Sequence, residues 1–240
     1  MIEPGFSLLL PTRGRTEGLA RLLGSIVETT RMPERLEVVL YVDEDDAESI
    51  DFAFGDLPTI KHVGCKTSMG GMIATCYRRS GRENVFLLND DVVFRTDGWD
   101  EAVCAALGEF DDGVALLYGN DLHQGRRLPT FPILPRVACE LLGGPAPADY
   151  FRSHIDAHLL DVFEQLRRRG HDRIRYLPGA VFEHLHPEAG KAAASTAAPD
   201  VRAADDEITW FAWAEGRQYA AWRLARHIAS AGAARSTGLA

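Results

Sequence analysis

The stretch from residue 85 to residue 91 reads Val-Phe-Leu-Leu-Asn-Asp-Asp. Its four apolar residues are typical of a short buried strand, which ends directly on two adjacent carboxylates, Asp90 and Asp91. In an open α/β sheet this end of a strand borders the ligand crevice, where paired carboxylates can hold a divalent cation against a phosphorylated substrate. Asn and Asp also favour turns and helix caps, so a simple turn at residues 89–91 is the alternative.

Composition narrows the class of protein. A chain of 240 residues with 46% hydrophobic content and 25% charge can bury one good core, as one domain or a domain with a small extension. A net charge of -9 repels phosphate backbones, so we do not expect nucleic acid as a partner. We find no membrane-spanning apolar run and no signal-like N-terminus, and we expect a cytoplasmic protein. The four cysteines have no C-x-x-C pair, so neither a zinc site nor a disulfide framework is indicated.

Strands and helices are predicted to alternate through the first half of the chain. The predicted strands span residues 6–10, 36–42, 59–63, 85–88 and 114–118. One predicted helix begins after Thr16, its N-cap, and two others span residues 69–79 and 99–110. We expect Pro11 to end the first strand. Such alternation indicates parallel βαβ units and a nucleotide-binding α/β sheet.

The second half of the chain differs from the first in composition and in its predicted elements. Repeated prolines and a Gly143-Gly144 pair predict long loops up to residue 150. A helix is predicted over 155–169, with short strands at 174–177 and 180–182. The Ala- and Ser-rich residues 191–204 predict a flexible loop, followed by a C-terminal helix over 205–230 and a disordered tail over 231–240.

The order of these parts resembles an inverting glycosyltransferase of the GT-A fold, family 2 type. The resemblance covers residues 6–190 and is carried by Pro11-Thr12-Arg13-x-Arg15, Asp43, Gly70, Asn89-Asp90-Asp91 and Glu183-His184-x-His186-Pro187. Asn89 departs from the family, since it stands at the first position of the family's Asp-x-Asp. The resemblance implies an α/β fold: a GT-A-type sheet with helices on both faces, an irregular acceptor-side region and a C-terminal helix. Its catalytic domain would span 1–190, with a nucleotide-sugar half at 1–118 and an acceptor half at 119–190.

The resemblance also implies which residues hold the donor. The nucleotide-sugar site would contain Pro11, Thr12, Arg13, Arg15, Asp43, Gly70, Asn89 and Asp90. Arginine suits a diphosphate because its guanidinium forms forked hydrogen bonds. Asp43 would contact the base or ribose, and Gly70 with Gly71 would let the backbone approach the nucleotide closely. The structural alternatives are solvated loop arginines, an acidic turn at 43–46 before a helix, and a tight turn at the glycines.

Asp91 is the preferred metal ligand, and the resemblance adds a histidine. His184 and His186 project to the same side if their segment is extended, so one of them can complete a site for Mn²⁺ or Mg²⁺. We prefer His184, with His186 as the alternative. A surface histidine pair hydrogen-bonded to Glu183 is the structural interpretation.

Inversion needs a base that takes a proton from the acceptor hydroxyl. By resemblance this base lies at the start of a late helix, where Asp156 matches, with Asp149 and Asp161 as fallback candidates. An acid in a first helical turn also stabilises the helix dipole, which is the alternative.

Two further groups carry weaker expectations. Arg126, Arg127 and Lys191 can clamp phosphate or acceptor, or simply face water. Trp210, Trp213 and Trp222 can stack on a sugar ring, although core packing is the commoner explanation of their spacing.

These expectations together describe a metal-dependent glycosyltransferase of the hexosyltransferase class. It would move a sugar from a nucleotide-diphosphate donor to a hydroxyl acceptor, which can be a glycan, a protein or a small molecule. A nucleotidyltransferase on a similar sheet is one rival, but it needs a Gly-rich loop with a Lys after the first strand, which residues 11–15 lack. A non-catalytic carbohydrate- or partner-binding domain is the other.

Overall fold

A computed structural model describes residues 3–53, 55, 57–185 and 205–236. These residues form a single mixed sheet of eight strands in the order β3-β2-β1-β4-β7-β6-β8-β5. The strands are β1 (Glu3–Thr12), β2 (Leu36–Asp43), β3 (Thr59–Gly64), β4 (Arg82–Leu87), β5 (Val92–Phe94), β6 (Leu116–Asn120), β7 (Ile133–Pro135) and β8 (Ile174–His184). The helices are α1 (Thr16–Thr29), α2 (Ala47–Asp51), α3 (Met69–Arg79), α4 (Trp99–Leu107), α5 (Arg136–Leu142), α6 (Ile155–Arg168), α7 (Asp205–Ala212) and α8 (Ala214–Ser236).

Strand directions place many strand ends at one edge of the sheet. β1 runs parallel to β2 and β4, and β2 runs parallel to β3. β7 is antiparallel to both β4 and β6, so β6 runs in the same direction as β4, and β8 runs parallel to β6. The carboxyl ends of β1, β2, β4, β6 and β8 therefore share one edge, where ligands bind in open α/β sheets.

The core lies in two layers, one on each face of the sheet. One layer packs α1 and α4 against the strands and contains Trp99, Phe86 and Phe182. The other packs α3, α5, α6 and α8 on the opposite face, with Ile73, Phe163 and Leu224 among its buried residues. The predicted sheet with helices on both faces is thus confirmed. In the part of the chain described here, no helix has the length and apolar character that a bilayer crossing requires.

The start of the chain departs from prediction in two places. Pro11 does not end β1 but pairs with Tyr41 of β2, because the pairing of β1 with β4 has already ended at Leu9 and the missing N–H is not needed there. Thr16 is the first residue of α1 and not its N-cap. Arg15 occupies the cap position without a side-chain cap, and the Thr16 hydroxyl donates to Glu48 instead.

The region predicted as long loops contains regular structure. β7 is inserted as an antiparallel strand between β4 and β6, and α5 follows it directly. Both elements are short, and burial supplies the stability that their local sequence lacks. The two strands predicted at 174–177 and 180–182 are one strand, β8, whose register against β6 shifts between Gly119 and Asn120. The predicted loop at 191–204 lies outside the described residues.

The C-terminal region also differs from prediction. The single helix expected over 205–230 is two helices, α7 and α8, which meet at Trp213. α8 continues to Ser236, so the tail expected to be disordered from residue 231 is helical up to that point. Its alanines favour helix, which explains the extension.

Candidate active site

Asp90 is hydrogen-bonded to the last residue of β1 and to the loop that follows it. Its Oδ2 accepts a hydrogen bond of 2.8 Å from Thr12 Oγ1, and its Oδ1 accepts one of 3.1 Å from Arg15 Nη1. Burial raises the pKa of Asp90, although Arg15 and Thr12 both stabilise the charged form. The first loop and the acidic end of β4 are therefore brought together through direct contacts between their side chains.

Asp91 and His184 meet at the same edge of the sheet. β5 pairs with β8 in a register that sets Val92 opposite His184, and Leu185 N–H donates to the Asp91 carbonyl at 2.8 Å. In this arrangement Asp91 Oδ1 lies 3.4 Å from His184 Nε2, and Asp91 Oδ2 lies 3.4 Å from Arg15 Nη1. Burial acts to raise the pKa of Asp91, but His184 and Arg15 outweigh it, and the pKa is lowered. Asp91 is consequently an ionised carboxylate at neutral pH.

The chemistry of this pair fits a divalent cation. Asp91 Oδ1 is buried and accepts no regular hydrogen bond from the described residues, while the side chain of His184 is 9% exposed and adjoins it. Within the described residues no group of three His, Cys, Asp or Glu side chains is arranged to bind a metal. Among the described residues, Asp91 and His184 are those that could hold a cation here, with phosphate oxygens and water as further ligands. His186, the alternative ligand, lies outside the described residues.

A second acidic group lies at the end of β2. Asp43 is 1% exposed, and its Oδ2 accepts a 2.6 Å hydrogen bond from Arg13 Nη1. The other oxygen, Oδ1, is buried without a hydrogen-bond partner in the described structure. Arg13 also donates a hydrogen bond to Asp45, and its hydrogen bonds to Asp45 and Asp43 raise its pKa. Asp46 caps α2 by accepting from Ser49 N–H, so the helix-start interpretation holds for Asp46 and leaves Asp43 as the residue available to a ligand.

The two predicted arginines have separate environments. Arg13 is bound between Asp43 and Asp45, on the β2 side of the site. Arg15 faces Asp90 and Asp91, on the β4 side. Of the two arginines, Arg15 is therefore the one beside the candidate metal ligand, although the same role in donor binding was predicted for both.

Gly70 has a structural explanation that the sequence did not suggest. A Cβ atom at this position would lie 2.0 Å from the Pro147 carbonyl oxygen. The absence of a side chain therefore makes room for the backbone around Pro147, in the predicted acceptor half. Gly70 N–H donates to the Tyr150 carbonyl at 2.9 Å, and Gly71 N–H is taken by the Ser68 side chain. These N–H groups are already engaged within the protein, and contact of either glycine with a nucleotide stays a prediction.

The other donor-side residues lie where their strands end. Pro11 and Thr12 are buried and pair with Tyr41 and Val42 of β2. Asn89 follows β4 and is half-buried beside Asp90. Their contact with a nucleotide also stays a prediction.

Asp156 lies in the first turn of α6, on the acceptor side. Burial raises its pKa, opposed by backbone N–H groups, including that of Ala157 at 2.8 Å, and by the charges of His154 and His184. A buried carboxyl with a raised pKa has one property that a general base needs, and the role of Asp156 as base stays a prediction.

The fallback candidates have other partners. Asp161 pairs with Arg217, whose Nε donates a 2.6 Å hydrogen bond to Oδ2, and the same oxygen accepts another from Gln165, so Asp161 is engaged within the α6–α8 contact. Asp149 is exposed and lies 3.3 Å from Trp213 Nε1. Asp156 stays the preferred candidate, and its role as base stays a prediction.

The arginines predicted to clamp a ligand contact the protein itself. Arg126 lies over the ring of Tyr176 at 5.1 Å, and Arg127 bonds the carbonyls of His123 and Gln124. Lys191 lies outside the described residues.

The three tryptophans differ in their surroundings. The guanidinium of Arg217 lies over the ring of Trp210, 3.7 Å from its centre, and Trp213 packs edge-on against His158. Both contacts favour the packing interpretation. Trp222 is 39% exposed and stacks on Tyr219, away from the core.

Sequence reasoning missed a turn held by Asp121 at the end of β6. This buried carboxylate accepts N–H bonds from His123, Gln124 and Gly125 at 2.7–3.0 Å, and its own backbone carbonyl accepts from His184 N–H. The turn brings the His123 ring to 6.4 Å from that of His184. The signal was available, since residues 114–121 are a second apolar stretch that ends on Asn-Asp.

Comparison with known proteins supports the fold and leaves the family open. No family model matches the chain, and no curated protein matches it. Among solved structures, it is similar to the mannosyltransferase PcManGT from Pyrobaculum calidifontis in complex with GDP-Man and Mn²⁺, at 17% identity and a TM-score of 0.57. That match covers 98% of this chain and 76% of the other.

The chain is also similar to S. aureus TarS, at 15% identity and a TM-score of 0.55, over 77% of this chain and 37% of TarS. A TarS fragment solved with UDP-GlcNAc matches at 15% identity and a TM-score of 0.52, over 74% of this chain and 57% of the fragment. The chain thus spans little more than a third of the full TarS chain. The sheet order, the helices on both faces and these similarities together establish that the chain has a GT-A-like glycosyltransferase fold.

Proposed function

We propose that this chain transfers a sugar from a nucleoside-diphosphate donor to a hydroxyl acceptor, with inversion and with a divalent cation, Mn²⁺ or Mg²⁺. One observation carries the proposal. At the carboxyl edge of the sheet, Asp91 Oδ1 lies 3.4 Å from His184 Nε2, and Arg15 reaches the same carboxylate. The complexes of PcManGT with GDP-Man and Mn²⁺ and of TarS with UDP-GlcNAc support this class of ligand.

The β2 side of the site suits the nucleoside. Asp43 Oδ1 is a buried acceptor without a partner in the described structure, which is costly unless a ligand donates to it. Ring N–H groups of bases and ribose hydroxyls are donors of that kind. Arg13, fixed between Asp43 and Asp45, would flank this contact.

The β4 side suits the diphosphate. Asp91 and His184 would hold the cation, which, when bound, neutralises the negative charge that grows on the departing diphosphate. Arg15 approaches the same carboxylate at 3.4 Å and is held in place by Asp90. Its guanidinium can therefore donate forked hydrogen bonds to a phosphate without a large rearrangement.

Asp156 would act as the general base. The acceptor oxygen forms a new bond to the anomeric carbon while the bond from that carbon to the diphosphate oxygen breaks on the opposite face. The hydroxyl proton passes to the Asp156 carboxylate, and the nucleoside diphosphate leaves with the electron pair. A carboxylate whose pKa is raised by burial is a better proton acceptor than an exposed one, provided that it is ionised at the working pH.

A donor panel with matched variants tests the proposal. UDP-, GDP- and TDP-sugars are incubated with the protein and Mn²⁺, and release of nucleoside diphosphate is measured with and without EDTA. Asp91→Ala and Asp156→Asn remove the candidate ligand and base. Asp111→Ala is the control, because Asp111 is an exposed acid that precedes β6 at the opposite edge of the sheet.

We expect metal-dependent release by the wild type and by Asp111→Ala, with losses of about 100-fold or more in the two site variants. Release of pyrophosphate in place of nucleoside diphosphate would indicate nucleotidyl transfer. Absence of nucleotide binding in calorimetry with UDP or GDP and Mn²⁺ would indicate a non-catalytic domain. Full activity of Asp91→Ala would remove that residue from the metal site.

A further inference from the structure

Asp206, in the first turn of α7, is a buried carboxylate that bonds a distant segment. It is 0% exposed, and its oxygens accept the backbone N–H groups of Phe151, Arg152 and Ser153 at 2.5, 2.8 and 2.7 Å. The Ser153 hydroxyl adds a fourth hydrogen bond at 3.0 Å. Burial acts to raise the pKa of Asp206, but these hydrogen bonds outweigh it, and the pKa is lowered. The carboxylate therefore binds this turn in its charged form.

The opposite edge of the same segment is bound to α3. Met69 N–H donates to the Phe151 carbonyl at 2.8 Å, and Gly70 N–H donates to the Tyr150 carbonyl at 2.9 Å. The backbone around Phe151 is thus held on both sides, by the start of α3 and by Asp206. Such a segment has little freedom to move without breaking several hydrogen bonds.

The segment leads directly into the helix that carries Asp156. Ser153 Oγ lies 3.0 Å from His154 Nδ1, and His154 takes the left-handed conformation, with φ of 69°, from which α6 begins. Trp210 of α7 also contacts His154, with ring centres 5.9 Å apart. α7 therefore touches both the turn and the residue that starts α6, two positions before Asp156.

Asp206 differs in this respect from the acids beside it. Asp205 and Glu207 share the first turn of α7 but are exposed. An acid in this turn is favourable for the helix dipole wherever it points, so Asp205 supplies the effect that Asp206 would have as an ordinary helix-start residue.

We infer that Asp206 is a positioning residue, which fixes residues 151–153 and thereby the start of α6, so that the Asp156 carboxylate is presented to the donor site. This inference rests on the proposed function, since it assigns Asp156 its role as base. Asp206 itself touches no substrate. It acts on the acceptor side of the site, while the nucleotide side is built by β1, β2 and β4.

The test compares Asp206→Ala, Asp206→Asn and the control Asp205→Ala, all in the full chain. Hydrogen exchange reports the amides of residues 151–153, calorimetry reports nucleoside diphosphate binding with Mn²⁺, and steady-state kinetics report kcat and KM for the active donor. We expect Asp206→Ala to bind nucleotide within about twofold of wild type while its kcat falls about 100-fold, because a misplaced base slows chemistry without weakening donor binding.

Asp206→Asn keeps one carbonyl acceptor, so we expect a smaller loss of about tenfold and intermediate protection of these amides. Asp205→Ala should match the wild type. Unchanged exchange at residues 151–153 in Asp206→Ala, or an unchanged kcat despite fast exchange, would each overturn the inference. If kcat and nucleotide binding fall together, the role is general stability, and the inference is again wrong. A wild type that neither binds nor cleaves any donor would instead refute the proposed function, and the positioning role with it.

Discussion

Replacing Gly70 with alanine tests the contact between α3 and the backbone around Pro147. The new Cβ would lie 2.0 Å from the Pro147 carbonyl oxygen and 3.0 Å from its carbon, and both atoms belong to the backbone. A backbone group cannot rotate aside as a flexible side chain can. The clash is therefore relieved only if the segment near Pro147 withdraws from α3.

The cost follows from what that withdrawal breaks. It strains the two hydrogen bonds that Met69 and Gly70 donate to Phe151 and Tyr150, worth about 1 kcal/mol each. Overpacking adds about 1–3 kcal/mol. The better helix propensity of alanine returns about 1 kcal/mol at most. We expect Gly70→Ala to lower the free energy of unfolding by about 2–4 kcal/mol.

Gly24→Ala is the matched control. Gly24 lies on the exposed side of α1, and a Cβ there meets nothing within 4 Å. The same substitution should raise the free energy of unfolding by up to about 1 kcal/mol. Urea unfolding followed by circular dichroism measures both variants. A Gly70→Ala variant as stable as the wild type would contradict the predicted clash, and so would two substitutions that shift the free energy of unfolding in the same direction.

Three further predictions address other parts of the molecule. Phe182→Ala should cost about 3–5 kcal/mol in thermal or urea unfolding, because its buried ring packs on Phe86, Phe94 and Trp99 at 4.7–5.8 Å; a cost below 1 kcal/mol would contradict this. Asp156→Asn should stabilise the fold at pH 8. Because folding raises the pKa of Asp156, the free energy of unfolding of the wild type falls as pH rises through that pKa, and an uncharged Asn removes this loss. The gain should vanish below about pH 4 in unfolding experiments, and a gain independent of pH would refute the assignment. Asp43→Asn should weaken nucleoside diphosphate binding in calorimetry by about tenfold, and unchanged affinity would remove Asp43 from the nucleotide site.

Much of the sheet followed from local patterns. Short apolar runs alternating with amphipathic segments predicted β1, β2, β4 and β6, and the range predicted for α3 matches the structure. β7 and α5 were missed because three and seven residues carry too little periodicity to be recognised. Their stability comes from burial between β4, β6 and α8, which no local pattern records.

Some features of the candidate site could likewise be predicted from the sequence, and others could not. Acids at strand ends were visible in the sequence, because parallel strands bring their carboxyl ends to one edge whatever else the chain does. The separation of Arg13 from Arg15 was not visible, since the two residues are identical in type and only two positions apart. Which carboxylates each one meets depends on the paths of β2 and β4.

Periodicity and strand-end polarity, which are encoded in neighbouring residues, predicted the parallel βαβ half of the sheet and Asp91, whereas the family resemblance implied His184 and Asp156. The room that Gly70 makes for Pro147 and the binding of the turn before α6 by Asp206 depend on tertiary packing. These contacts join residues more than 50 positions apart. Their geometry depends on how the whole chain packs, and a short stretch of sequence holds no record of it.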